Sequence, residues 1–178
     1  MKAFEYFWLK PDATLSNPIQ IFHFAVEGPV TTGMTIDPEK IPKHQVAYFE
    51  YSPQLEICDV LFRPTLLIEN TLKRLWSLYE PQMKFKSVQV FANDPEIDVA
   101  PLYWHPMLKK VDCLDEGTSF YPNGMLKSLA VRLRSVQPHQ ILQVAGPVED
   151  VTLVSLPVAE SMLRRFTTGY DLVPVNLV

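Results

Sequence analysis

The hydrophobic period of this chain changes from two to about 3.6 at only two places, and that restricts what it can fold into. Ile68, Leu72, Leu75, Trp76 and Tyr79 fall at i, i+4, i+7, i+8 and i+11, one face of an α-helix. Glu69, Lys73 and Arg74 lie off that face. Thr65 can cap the start and Pro81 stops the run, so a helix is predicted over about 66–80. Ala159, Leu163, Phe166 and Tyr170, with Met162 beside them, mark the second helix, over about 156–168. Ser155 can cap it, Pro157 is tolerated in its first turn, and Gly169 is placed to end it in a left-handed conformation. Arg164 and Arg165 complement the dipole at its end.

Everything else reads as strand or turn. Ala3–Leu9, Ile19–Val26, Val46–Tyr51, Ile57–Phe62, Phe85–Phe91, Lys109–Cys113, Ser128–Leu133, Ile141–Ala145, Val151–Val154 and Leu172–Val178 are strand candidates. Thr31-Thr32-Gly33-Met34, Asn93-Asp94-Pro95-Glu96 and Pro122-Asn123-Gly124 are turn signals. Strands outnumber helices, which predicts an α+β fold: a single domain with two main helices packed on one face of a mixed, mostly antiparallel sheet. Residues 1–56 are its β- and loop-rich part, and 57–178 hold two similar β-α-β pieces. Leu67–Leu75 can be laid on Val158–Phe166 at an offset of 91 residues (158 minus 67), matching Glu69 with Glu160, Leu72 with Leu163 and Arg74 with Arg165.

A chain of 178 residues is one domain long. Sixteen basic against twenty acidic residues leave a net charge of −4, which argues against a nucleic-acid partner. No apolar run reaches the roughly 18 residues a membrane helix needs. Met1–Trp8 carries charge where a signal peptide needs an unbroken apolar core. Two cysteines are too few for a disulfide scaffold. These features predict a soluble, cytoplasmic protein.

Motifs for chemistry are scarce. The six glycines never form G-x-G-x-x-G or a Walker loop, and neither G-x-S-x-G nor H-E-x-x-H occurs. His23, His44, His105 and His139 do not share a helix face or strand at ligand spacing, so no metal is expected. Cys113 is the sharpest nucleophile candidate, but Asp112 and Asp115 disfavour its thiolate, as Glu56 and Asp59 do for Cys58. A buried cysteine at a strand end is the plainer account. Asp94 with Glu96 and Asp98, Asp112 with Asp115, and Glu149 with Asp150 are carboxylate groups in turn-like sequence, where solvated charge is the usual explanation.

The stretch Tyr103-Trp104-His105-Pro106-Met107-Leu108-Lys109-Lys110-Val111-Asp112-Cys113-Leu114-Asp115, followed by Ser119, resembles the immunity protein 11 family, protective partners of bacterial polymorphic toxins. The specific letters lie around Asp112–Asp115, and the order of elements extends the resemblance over about residues 57–178. It implies a non-enzymatic protein that binds and neutralises a cognate toxin domain, with no catalytic residue and no cofactor. It transfers no contact residues. Charge and turn placement instead nominate Asp94, Glu96, Asp98, Trp104, Asp115 and Glu116 as partner-binding positions, because acidic patches steer basic partners and aromatic side chains anchor interfaces. The rival readings are a small hydrolase using Cys113 or a carboxylate pair, and a protein-binding domain with no toxin involved.

Overall fold

The computed structural model describes residues 5–28 and 35–178, so the predicted turn at Thr31–Met34 and the first residues of the Ala3–Leu9 strand lie outside the described residues. In chain order the strands are β1 (Tyr6–Pro11), β2 (His44–Phe49), β3 (Val60–Leu61), β4 (Leu67–Glu69), β5 (Phe85–Ala92), β6 (Leu102–Pro106), β7 (Lys110–Val111), β8 (Ser119–Phe120), β9 (Leu126–Ser128), β10 (Ala130–Val131), β11 (Ile141–Val144), β12 (Thr152–Ser155), β13 (Tyr170–Pro174) and β14 (Asn176–Leu177). Three α-helices accompany them: α1 (Asn70–Tyr79), α2 (Leu133–Val136) and α3 (Leu156–Leu163). The class is α+β, with mostly antiparallel pairing. The predicted single sheet is instead two five-stranded sheets, a middle one in the order β2-β5-β6-β4-β3 and a terminal one in the order β13-β1-β12-β11-β7. Two small pairs, β8 with β9 and β10 with β14, complete the molecule.

Each main helix belongs to one sheet, and the two surroundings repeat. α1 joins β4 to β5, which lie on either side of the antiparallel β6. α3 joins β12 to β13, which lie on either side of the antiparallel β1. Outside β4 lies β3, and outside β12 lies β11, both antiparallel. The arrangement β3-β4-β6-β5 is thus repeated as β11-β12-β1-β13, but the second copy takes its inner strand from the start of the chain. The letter match at 91 residues misses this equivalence. Aligning the residues that immediately precede the helices, Glu69 and Ser155, gives an offset of 86 (155 minus 69). Buried Leu72 and Trp76 then fall on buried Val158 and Met162.

Three differences from the predicted helices have local causes. α1 begins at Asn70 rather than near 66 because Leu67–Glu69 pair with both β3 and β6. The Glu69 carboxylate, not Thr65, then caps the helix, accepting from the Thr71 amide at 2.6 Å. α3 ends at Leu163, and the residue that turns left-handed after it is Phe166 (φ 53°), not Gly169. Gly169 also has positive φ, but for another reason: a Cβ there would lie 2.4 Å from the Val60 carbonyl oxygen. Only glycine lets β13 start that close to β3. Ser155 precedes α3, but its hydroxyl donates to Gln140 Oε1 at 2.6 Å rather than capping.

Three predicted strands also differ, and one of them, Leu172–Val178, divides between β13 and β14, which belong to different sheets. Ile19–Val26 forms no regular strand. Ile19 bonds Glu56 while Phe22 exchanges two backbone bonds with Tyr48, so the segment divides its pairing between two neighbours. Ser128–Leu133 splits into the end of β9, then β10, then the first residue of the unpredicted α2.

Each sheet carries core residues on both faces, although the cover of the middle sheet stops short of β2 on one of them. α1 and α3 share a central core with one face of each sheet, including Ile68, Leu72, Trp76, Leu9, Ile141, Val154, Val158 and Met162. The Tyr79 hydroxyl ties the two helices, bonding the Pro157 carbonyl (3.0 Å) and Ser161 Oγ (2.7 Å). The other face of the middle sheet packs under the 15–24 segment, and that of the terminal sheet under residues 113–136 and the chain end. Among the described residues, no helix is long and apolar enough to cross a membrane.

Candidate partner-binding surface

Strand alternation assigns the side chains of the middle sheet to two faces. Ala47, Phe49, Val88, Val90 and Tyr103 fill its outer core. The opposite face carries three cross-strand rows: His44, Ser87, Trp104 and Ile68; then Val46, Gln89 and Leu102; then Tyr48 and Phe91. Ile68 is fully buried, and Trp104 and Phe85 pack against the core that it shares with α1. The cover does not reach β2. Val46 is 48% exposed, Tyr48 38% and Phe91 42%. His44 Nδ1 lies 2.7 Å from Ser87 Oγ, and the His23 ring meets Tyr48 edge-on at 6.1 Å. The result is an apolar sheet surface of the kind that marks interaction sites.

The acidic loop begins where this surface ends. The Asn93 amide donates to the Phe49 carbonyl at 2.9 Å, pinning the loop to the end of β2. Asp94 accepts from the Glu96 amide at 3.0 Å, which makes it the turn former. Asp94, Glu96 and Asp98 are exposed, and among the described residues none of them is in an ion pair. Trp104 lies apart from this loop, mid-sheet and half-buried. Its indole donates to Asn70 Oδ1 at 3.2 Å, and the Lys73 ammonium sits 4.9 Å from its ring centre.

Asp115 and Glu116 belong to a different part of the fold, beside the core of the terminal sheet. Asp115 Oδ2 accepts from the Gly117 amide at 3.0 Å, and its own amide donates to the Ala130 carbonyl, so its side chain shapes a turn. Glu116 is exposed. The six nominated positions therefore form three groups: a loop at the edge of the open face, an aromatic under α1, and a distant turn. The apolar members of the open face, Val46, Tyr48 and Phe91, were not nominated. Their signal was the pair Ser87 and Gln89 between Phe85 and Phe91, polar residues on what would otherwise be a fully covered face.

The Val-Asp-Cys-Leu-Asp run is held as structure. The Arg132 guanidinium donates to the Asp112 carbonyl (2.9 Å), to the Asp112 carboxylate (3.1 Å) and to the Leu114 carbonyl. The Arg132 amide donates to the Cys113 carbonyl at 2.8 Å. Cys113 is fully buried, and its thiol is pushed up to about 11, chiefly by burial, with Arg132 opposing and Asp112 assisting. Cys58 is likewise buried and pushed up to about 11 by burial and by Glu56, Asp59 and Asp12. Both shifts run opposite to what a thiolate nucleophile needs. Of the Glu149–Asp150 pair, Glu149 accepts from the Leu126 amide at 2.7 Å, and Asp150 is bonded by Gln143 and raised by burial. Among the described residues no three His, Cys, Asp or Glu side chains gather as metal ligands.

No protein-family model and no curated protein matches this chain.

Proposed function

We propose that this chain is an immunity protein of the polymorphic-toxin type, which binds a cognate toxin domain in the cytoplasm and neutralises it without chemistry of its own. The observation that carries this reading is the open face of the middle sheet, where Val46, Tyr48 and Phe91 remain exposed next to Asp94, Glu96 and Asp98, which are in no ion pair among the described residues. An apolar centre with a charged rim is the usual composition of a protein-binding patch. The negative rim favours a basic partner surface and speeds its encounter. Burial of both thiols, and the engagement of Asp112, Asp115, Glu149 and Asp150 in hydrogen bonds, favour binding over hydrolysis. The resemblance around Asp112–Asp115 supplies the toxin.

The test is co-expression with the C-terminal domain of the protein encoded directly upstream. The expected outcome is toxicity of that domain alone, relief by this chain, and co-purification of the two. Charge reversal at Asp94, Glu96 and Asp98 together is expected to weaken the complex and make the residual binding less salt-dependent. A harmless upstream domain, or a toxic one that this chain neither binds nor relieves, overturns the reading.

A further inference from the structure

An open cavity of about 590 Å³ lies between the N-terminal segment and β3, within the size range of binding sites. Leu15, Ile19, Phe22, Leu61 and Phe62 give it apolar walls, and Gly169 forms part of its lining. Asp12 and Arg63 add one charge of each sign, and among the described residues neither is in an ion pair.

Three residues before Gly169 stands Phe166. It is 88% exposed, the most exposed of the large apolar side chains among the described residues, and Leu163 three residues earlier is 58% exposed. Phe166 also occupies the left-handed position after α3, where glycine or asparagine is the favoured residue. A bulky side chain at that position costs the fold something and, being exposed, gives it little packing in return. Three residues of chain reach at most about 11 Å, so Phe166 lies within that distance of the cavity lining at Gly169. Arg164 and Arg165 directly precede Phe166 and Glu160 pairs with Arg164, so this tip carries both charge signs, as the cavity lining does with Asp12 and Arg63.

We infer that two copies of this chain pair about a twofold axis, each inserting Phe166 into the other's cavity. A twofold interface requires knob and socket to lie on the same patch, because one patch must meet its own copy. Here Phe166 lies within about 11 Å of the cavity lining at Gly169. The charges suit the exchange, with Arg165, which is in no ion pair among the described residues, meeting the partner's Asp12. A lipid surface fits less well. Membrane recognition by charge takes clusters of about 4–8 basic residues, whereas this tip carries two, one of them already paired with Glu160 at 3.1 Å. The inference is independent of the toxin reading.

Sedimentation velocity over a concentration series tests it with the purified chain alone. The wild type is expected to pass from monomer to dimer as concentration rises. Phe166→Asn keeps a residue suited to the left-handed position, and Gln20→Trp fills the cavity from an exposed lining residue. Each variant alone is expected to lose on the order of 100-fold or more in self-association while melting as the wild type does at dilution. A mixture of the two retains one intact knob and one intact socket, so it is expected to form a heterodimer weaker than the wild-type dimer. A wild type that stays monomeric at every soluble concentration overturns the inference. So does a Phe166→Asn dimer as tight as the wild type, a mixture that stays monomeric, or native mass spectrometry showing a monomer with a small apolar ligand in place of a dimer.

Discussion

The middle and terminal units share one plan, yet they differ in two ways with consequences for the whole molecule. In the middle unit the inner strand β6 follows β5 through a short loop, so the unit is local in sequence. In the terminal unit the inner strand is β1, which pairs with β12 and β13 from the far end of the chain. The terminal unit therefore closes the fold, while the middle unit can assemble early from neighbouring segments. The second difference is β2. It pairs in parallel with β5 beyond the reach of α1, whereas the corresponding side of β13 is a sheet edge. One extra strand thus turns a covered sheet into one with an open face. The repeated plan supplies stability, and the departure from it supplies the candidate surface.

The largest expected effect comes from removing what the terminal unit borrows. Deletion of residues 1–11 takes away Tyr6, Trp8 and Leu9, all buried, and leaves β12 and β13 without a shared neighbour. Loss of the cooperative unfolding transition is expected by circular dichroism. A truncated chain that still melts in one sharp step would show that the terminal unit does not depend on β1. Next in size is Gly169→Ala at the junction of the two units. The added methyl would meet the Val60 carbonyl at 2.4 Å and Cys58 Cβ at 2.7 Å, with φ at +96°. A loss of about 3 kcal/mol or more is expected in urea unfolding. Gly28→Ala has positive φ but open space, and is expected to cost about 1 kcal/mol.

How much of this was legible in the sequence follows from what each signal depends on. The α1 face was readable because Leu72, Leu75 and Trp76 all point into one core and repeat at helical spacing. The β-α-β pieces were readable, but their alignment was not. Matching letters favoured Glu69 with Glu160, whereas the structural repeat is set by where each strand hands over to its helix. The division into two sheets depends on which distant strands pair, and no local period encodes that. Ile19–Val26 alternates like a strand, yet pairs at one residue with Tyr48 because its other neighbour is Glu56. Phe166 has helical spacing and falls in the sequence on one face with Ala159, Leu163 and Tyr170. The helix stopped three residues short of it, and nothing in the pattern marks that stop. For the surface, the acids were readable as turn residues, while the exposure of Tyr48 and Phe91 required knowing how far α1 extends.

A smaller effect separates the two inner strands by pH. His105 lies near the end of β6, buried, with Nδ1 3.0 Å from the Leu66 carbonyl oxygen and Nε2 without a hydrogen-bond partner among the described residues. Nδ1 therefore carries the hydrogen. Burial holds its pKa below the ordinary 6.5, with the Leu66 carbonyl opposing and Lys86 assisting. The unfolded chain takes up the proton near 6.5 and the folded one only at lower pH. Between those values the unfolded state binds more protons, so stability falls as pH drops below about 6.5, by at most about 1.4 kcal/mol per pH unit. His139, shifted the same way by burial and Lys109, adds to the slope. The corresponding strand β1 carries Tyr6, raised to about 12 by burial and by Glu80, and it titrates only in alkali. Urea unfolding between pH 5.5 and 7.5 is expected to show the acid slope, and His105→Asn is expected to flatten it. An equal slope in the variant would move the acid sensitivity elsewhere.

The smallest expected stability effect tests the meaning of β2 most directly. If Val46, Tyr48 and Phe91 are exposed for a partner, polar replacement should leave the isolated fold nearly unchanged. Tyr48→Ser and Phe91→Ser are each expected to shift unfolding by about 0.5 kcal/mol or less, as surface substitutions do. The same change at Val88 or Val90, on the opposite face of β5 and fully buried, is expected to cost several times more. Two faces of one strand would then answer to different demands, one to packing and one to binding. Should Tyr48→Ser or Phe91→Ser destabilise the chain as strongly as the buried pair, the open face would be part of the core. The difference between the two units would then be only one of topology.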